Sequence, residues 1–159
     1  MLADALTDWL LLFHLIGAFV LVSGSVVAGV AFEAARRRRR PSEVALQLGL
    51  SRFGVARVGL GSLLIVPFAL WLVHATPVGY DAGWVDAALA LFLLVAALGT
   101  IGGQTPKRAR LLAQSLDDKR GELTALLNDR SARLVTYASS VFLLAIIVLT
   151  VFKPGGPGS

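Results

Sequence analysis

Charged residues are missing from four long stretches of the chain, 9–32, 58–80, 87–106 and 134–152, which are 24, 23, 20 and 19 residues long. Each stretch is largely apolar (the first reads WLLLFHLIGAFVLVSGSVVAGVAF) and none shows the polar–apolar alternation of a strand with one wet face. A helix rising ~1.5 Å per residue crosses the ~30 Å hydrocarbon core of a bilayer in about 20 residues. Only helices and closed barrels satisfy their backbone groups in lipid. The pattern predicts an all-α, polytopic membrane protein, a single antiparallel bundle of four transmembrane helices over 1–153. The spans fall at about 9–32, 58–77, 85–105 and 134–152, with a flexible tail over 154–159.

The connections differ in kind. ATPVGYDAGW, between the second and third spans, carries Pro and Gly turn signals and predicts a tight antiparallel hairpin. In PSEVALQLGL, Ser42 is placed to cap a short helix behind Pro41. In PKRARLLAQSLDDKRGELTALLNDRSARL, Leu112, Leu116, Leu123 and Leu127 recur near helical spacing with charges between them. That spacing predicts a short amphipathic cytoplasmic helix before the fourth span, either prolonging the third span or lying on the inner membrane face.

Charge sets the orientation. Fourteen of the 15 Lys and Arg belong to the loops after the first and third spans and their helix ends, leaving a formal +8 on that side against −3 on the other. By the positive-inside rule both termini lie outside. Trp9, Trp71 and Trp84 agree, falling near the outer ends of their spans like an interfacial belt. A cleaved signal peptide needs positive charge ahead of its apolar run; here Asp4 and Asp8 precede the run and Arg36, Arg37, Arg38, Arg39 and Arg40 follow it. Those five arginines read as a stop-transfer signal facing anionic lipid headgroups on the cytoplasmic side, and not as a nucleic-acid patch. With 56% hydrophobic and 16% charged residues the chain lies outside the range of soluble domains. It has no cysteine, hence no disulfide and no thiolate site.

Helices in lipid associate where small residues let their backbones approach. Gly24, Ser25, Ala28 and Gly29 of the first span, Gly59, Gly61 and Ser62 of the second, Gly99 and Gly103 of the third, and Ser139 and Ser140 of the fourth all lie in inner halves. The expectation is tight packing of all four helices at the cytoplasmic end. Any pocket is then expected in the outer half, beside Phe13, Phe19, Phe68, Trp71 and the helix-perturbing Pro67.

His14 and His74 are the chain's two histidines, both toward the outer ends of their spans. An ionisable residue inside a span is by default a candidate site. Three uses fit the residues: an interhelical hydrogen bond, axial ligation of a haem b iron, or a metal site completed by Asp81 or Asp86. No span contains a carboxylate or lysine to continue a proton relay, and no catalytic set is recognisable. The composition therefore points first to a non-enzymatic membrane protein acting through helix packing, lipid or partner contacts, alone or as a small homo-oligomer. The alternative is a haem b or metal-binding bundle using His14 and His74.

The stretch FHLIGAFVLVSGSVVAGVAFEAARRRRR resembles the first span of an uncharacterised family of four-helix bacterial integral membrane proteins, a domain of unknown function, and the ending VLTVFKPG is similar to the close of its last span. The resemblance implies a multi-pass protein of the bacterial cytoplasmic membrane. That group also looks distantly like the copper-resistance D proteins and the membrane protoporphyrinogen oxidases, in which a first-span histidine, matched here by His14, is associated with haem. The later-span lysine of the oxidases has no matching position, and Met1 is the one methionine available to a soft copper site.

Overall fold

The computed structural model describes residues 2–38, 40–75, 83–102, 104–114 and 120–152. These form six helices: α1 Leu2–Arg36, α2 Pro41–Ala75, α3 Gly83–Gly102, α4 Gln104–Gln114, α5 Arg120–Leu127 and α6 Arg130–Phe152. Four helical stretches, 5–36, 41–75, 83–114 and 121–152, are long and apolar enough to cross a membrane. The protein is an all-α, four-helix membrane protein.

The helices outrun the charge-free windows. At 35 residues each, α1 and α2 extend ~50 Å, some 20 Å more than the hydrocarbon core requires. The sequence PSEVALQLGL belongs to the first turns of α2 and not to a separate helix. Pro41 begins α2, where its missing N–H costs nothing, and the Arg40 carbonyl accepts from the amide of Val44 at 3.1 Å. Ser42 is therefore inside the first turn and not at the capping position. At the other end of the connection α1 closes with the amides of Arg37 and Arg38 donating to the carbonyls of Ala34 and Ala35. α2 passes through Pro67 without a break.

α1 and α2 form one closely fitted antiparallel hairpin, while α3 pairs with α6. Between these two pairs, contact runs mainly through α4 and α5, and hardly at all through the spans. In the α1–α2 seam, Gly17 meets Leu64 and Ile65, Gly24 meets Gly54 and Val58, and Gly61 meets Leu21. A Cβ on Gly54 would lie 2.5 Å from the Ala28 nitrogen, so glycine is needed for the approach. Facing residues along the seam are therefore 17 with 65, 21 with 61, 24 with 58 and 28 with 54.

Most described side chains of the spans face outward, as lipid allows. None of α3 is buried, and in α6 only Ala132 is. The buried core is at the arginine-rich end, where Phe32 and Ala35 of α1, Val44 and Leu48 of α2, Ala109 of α4, and Leu123 and Leu127 of α5 come together. Leu123 and Leu127 thus turn toward protein, not toward the membrane face; Leu116 lies outside the described residues. These residues lie at or beyond the ends of the charge-free stretches, and where water is the surrounding solvent apolar burial contributes ~25 cal/mol per Å².

A cleft between the helix pairs as candidate site

Because the two pairs separate within the spans, a cleft of ≈ 510 Å³ opens between α1 and α6, along 22–36 of the first and 133–147 of the second. It lies in the arginine-rich halves of the spans, the opposite end from the pocket that the small residues suggested. The reason is physical: small side chains invite contact only when two such faces meet. Gly29 lines the cleft and a Cβ there would touch nothing within 4 Å. Gly99 likewise faces open space, as does Gly59, and Gly103 is outside the described residues.

The walls are less polar than their sequence. Ser25 donates its hydroxyl to the Leu21 carbonyl at 3.0 Å, Ser140 to Thr136 at 3.0 Å and Thr136 to Ala132 at 2.9 Å. Each hydroxyl is satisfied one turn back on its own helix, so what faces the cleft is mostly hydrocarbon, with Val22, Val26, Leu143, Leu144 and Ile147 around its deep end.

The arginine-bearing end is different. Glu33, Arg36, Arg133 and Tyr137 surround it. Arg36 turns back into the protein: its side chain is 11% exposed, with Nη1 on Glu33 at 2.9 Å and Nη2 on the Asn128 Oδ1 at 3.4 Å. Its Nε is buried without a hydrogen-bond partner among the described residues. Arg133 is half-buried and has no carboxylate at ion-pair distance among the described residues. Of the five arginines read as a lipid-facing run, Arg36 is thus an internal tie. Arg37, Arg38 and Arg40 are exposed and pair with Glu33 or Glu43 at 3.5–4.0 Å, and Arg39 is outside the described residues.

His14 is half-buried in the α1–α2 seam, its Nδ1 donating to the Ile65 carbonyl at 3.4 Å. Next to it Phe13 stacks on Phe68 with centroids 5.1 Å apart, which fills the outer seam with rings. His74 is exposed. The seam register sets His14 level with Phe68 and His74 level with Asp8, an offset of six residues or ~9 Å along the axis. These residues do not fit a haem held between two histidines: the structure brings His14 to a backbone carbonyl, not to the second ring. Among the described residues no three His, Asp or Glu side chains gather to hold a metal ion; Asp81 is outside them.

A family model described as a predicted integral membrane protein (DUF2269) matches residues 8–154. The chain belongs to the DUF2269 family. No curated protein and no solved structure matches this DUF2269 chain. The residues that sequence reasoning passed over are Gly17, Gly54, Val26, Arg133 and Tyr137. The signal available for the last two was their spacing from Arg130 into the fourth span, which places a cation and a phenol on consecutive turns of one inner helix end.

Proposed function

We propose that this DUF2269 protein is a non-enzymatic protein of the bacterial cytoplasmic membrane, with both termini outside, which works by holding an apolar chain from the surrounding lipid between its two helix pairs. The observation that carries this reading is the α1–α6 cleft: hydrocarbon-walled, only partly enclosed, and bounded by helices that hardly touch along their spans. In lipid there is no hydrophobic drive to close such a gap, so an acyl chain fills it and restores the dispersion contacts that its walls lack.

Native mass spectrometry of the full chain released from membranes in mild detergent tests the reading. The expected result is retained adducts of phospholipid mass on the wild type, and their loss in Gly29→Leu, whose side chain enters the cleft without meeting anything on the way. Equal adducts on both proteins would refute it.

A further inference from the structure

We infer that the cleft is a site for a single anionic phospholipid of the cytoplasmic leaflet, whose phosphate is held between Arg36 of α1 and Arg133 of α6. The inference rests on the reading above and specifies the headgroup end.

Depth is the first argument. From 22 to 36 on α1, and from 147 to 133 on the antiparallel α6, the cleft runs 14 residue steps, or ~21 Å. One leaflet supplies ~15 Å of hydrocarbon and the headgroup layer adds ~5–7 Å. Val22 sits close to the middle of the charge-free run 9–32. With that point at the midplane, Arg36 and Arg133 stand at the depth of the lipid phosphates.

Charge is the second. Two guanidinium groups and the Glu33 carboxylate leave this end of the cleft with a formal +1, and a phosphodiester supplies −1. Glu33 occupies Nη1 of Arg36 and Asn128 occupies Nη2, and Nε is buried, so Arg36 contributes its charge to this end while Arg133 is the more open guanidinium. Arg133 has no competing carboxylate in reach among them. A planar guanidinium fork matches phosphate oxygens, and such charge-assisted bonds are the strong ones. Tyr137, 66% exposed one turn beyond Arg133, adds the amphipathic ring favoured at this depth. A zwitterionic headgroup brings its own cation to the same place and forfeits the advantage.

The test measures binding of phosphatidylglycerol carrying a fluorophore on one acyl chain to the full chain in neutral detergent, beside phosphatidylcholine labelled identically. Phosphatidylglycerol is expected to bind more tightly, and Arg133→Gln to weaken it about tenfold while leaving phosphatidylcholine unchanged. Arg38→Gln, at an exposed position outside the cleft, is the control and is expected to change little. Equal binding of the two lipids with both lost in Gly29→Leu would overturn the headgroup site and leave the acyl-chain reading standing. Binding indifferent to Gly29→Leu would overturn both. Equal weakening by Arg38→Gln and Arg133→Gln would overturn the site in favour of diffuse surface charge. A complex of twice the protein mass that excludes both lipids would mean that a second copy of this chain covers the cleft, and would overturn it too.

Discussion

Gly61 of α2 lies directly against the backbone of Leu21 of α1: a Cβ built on the glycine comes 2.5 Å from the Leu21 nitrogen and 2.7 Å from its Cα. No flexible side-chain end stands there to give way, so any larger residue pushes the two helices apart. Gly61→Ala and Gly54→Ala are each expected to lower stability in detergent by ~1–3 kcal/mol, the usual cost of overpacking. Gly59→Ala, two residues away and facing open space, is expected to stay within ~0.5 kcal/mol. Thermal unfolding of the three variants checks the contrast, and equal stabilities would mean that the seam is looser than its geometry implies.

The buried core offers a second contrast within one helix. Leu48 is 1% exposed among Phe32, Ala109 and Leu123, whereas Leu46 is 74% exposed. Leu48→Ala is expected to cost ~2–5 kcal/mol and Leu46→Ala almost nothing. Limited proteolysis of the α4–α5 region reads the difference, with faster cleavage in Leu48→Ala alone.

For His14 the bond to the Ile65 carbonyl predicts a structural effect. His14→Ala is expected to destabilise the hairpin by about 0.6 kcal/mol, the average for polar contacts between helices in lipid. Its reduced-minus-oxidised absorption spectrum is expected to match that of the wild type. A band near the haem Soret region that disappears in His14→Ala would instead make the histidine a ligand.

Asp129 makes the start of α6 sensitive to pH. One carboxylate oxygen accepts the Ser131 amide at 3.0 Å and the other its hydroxyl at 2.7 Å. These bonds, the hydroxyl one foremost, hold the carboxyl below its ordinary range. A depressed folded-state value means that the contribution is fully present above the unfolded value of ~3.9 and is lost as pH falls through the lower folded one. Amide exchange at Ser131 is expected to accelerate in that acid window in the wild type. In Asp129→Asn, which keeps a capping oxygen without the titration, that step is expected to vanish.

The orientation is testable because the chain has no native cysteine. Gly83→Cys and Leu46→Cys introduce single exposed thiols at opposite ends of the molecule. A membrane-impermeant maleimide added to intact cells is expected to label Gly83→Cys and to reach Leu46→Cys only after permeabilisation. The reverse pattern would invert the topology.

The spans were legible because exclusion of charge from hydrocarbon is a local property, visible residue by residue. The helix ends were not, since loss of charge marks where lipid stops and not where hydrogen bonding stops: α2 carries Arg52 and Arg57 within its helix. Arg57 reaches back along α2 over the Phe53 ring, 5.8 Å from its centroid, and so carries its charge toward the arginine-rich end. In the seam Gly24, Ala28 and Gly61 stood out as small residues, yet Gly17 and Gly54 did not, each being a single glycine outside the clusters of small residues. Nor does a stripe of small residues say what lies opposite. Gly24 met a helix, while Gly29, little more than a turn away, met a gap. The internal role of Arg36 was hidden inside a run of five identical residues, all of which the sequence treats alike.

The placement of the core at one end divides the molecule between two solvents. Phe32, Leu48, Leu123 and Leu127 are held together by water's exclusion of hydrocarbon, whereas the glycine seam is held by backbone contact in lipid. Urea and cold weaken the first force and scarcely touch the second. Urea is therefore expected to loosen the joint between the helix pairs before it separates the helices within each pair, which proteolysis at increasing urea checks. The two helix pairs are in this sense separate limbs, joined through α4 and α5 at the arginine-rich end.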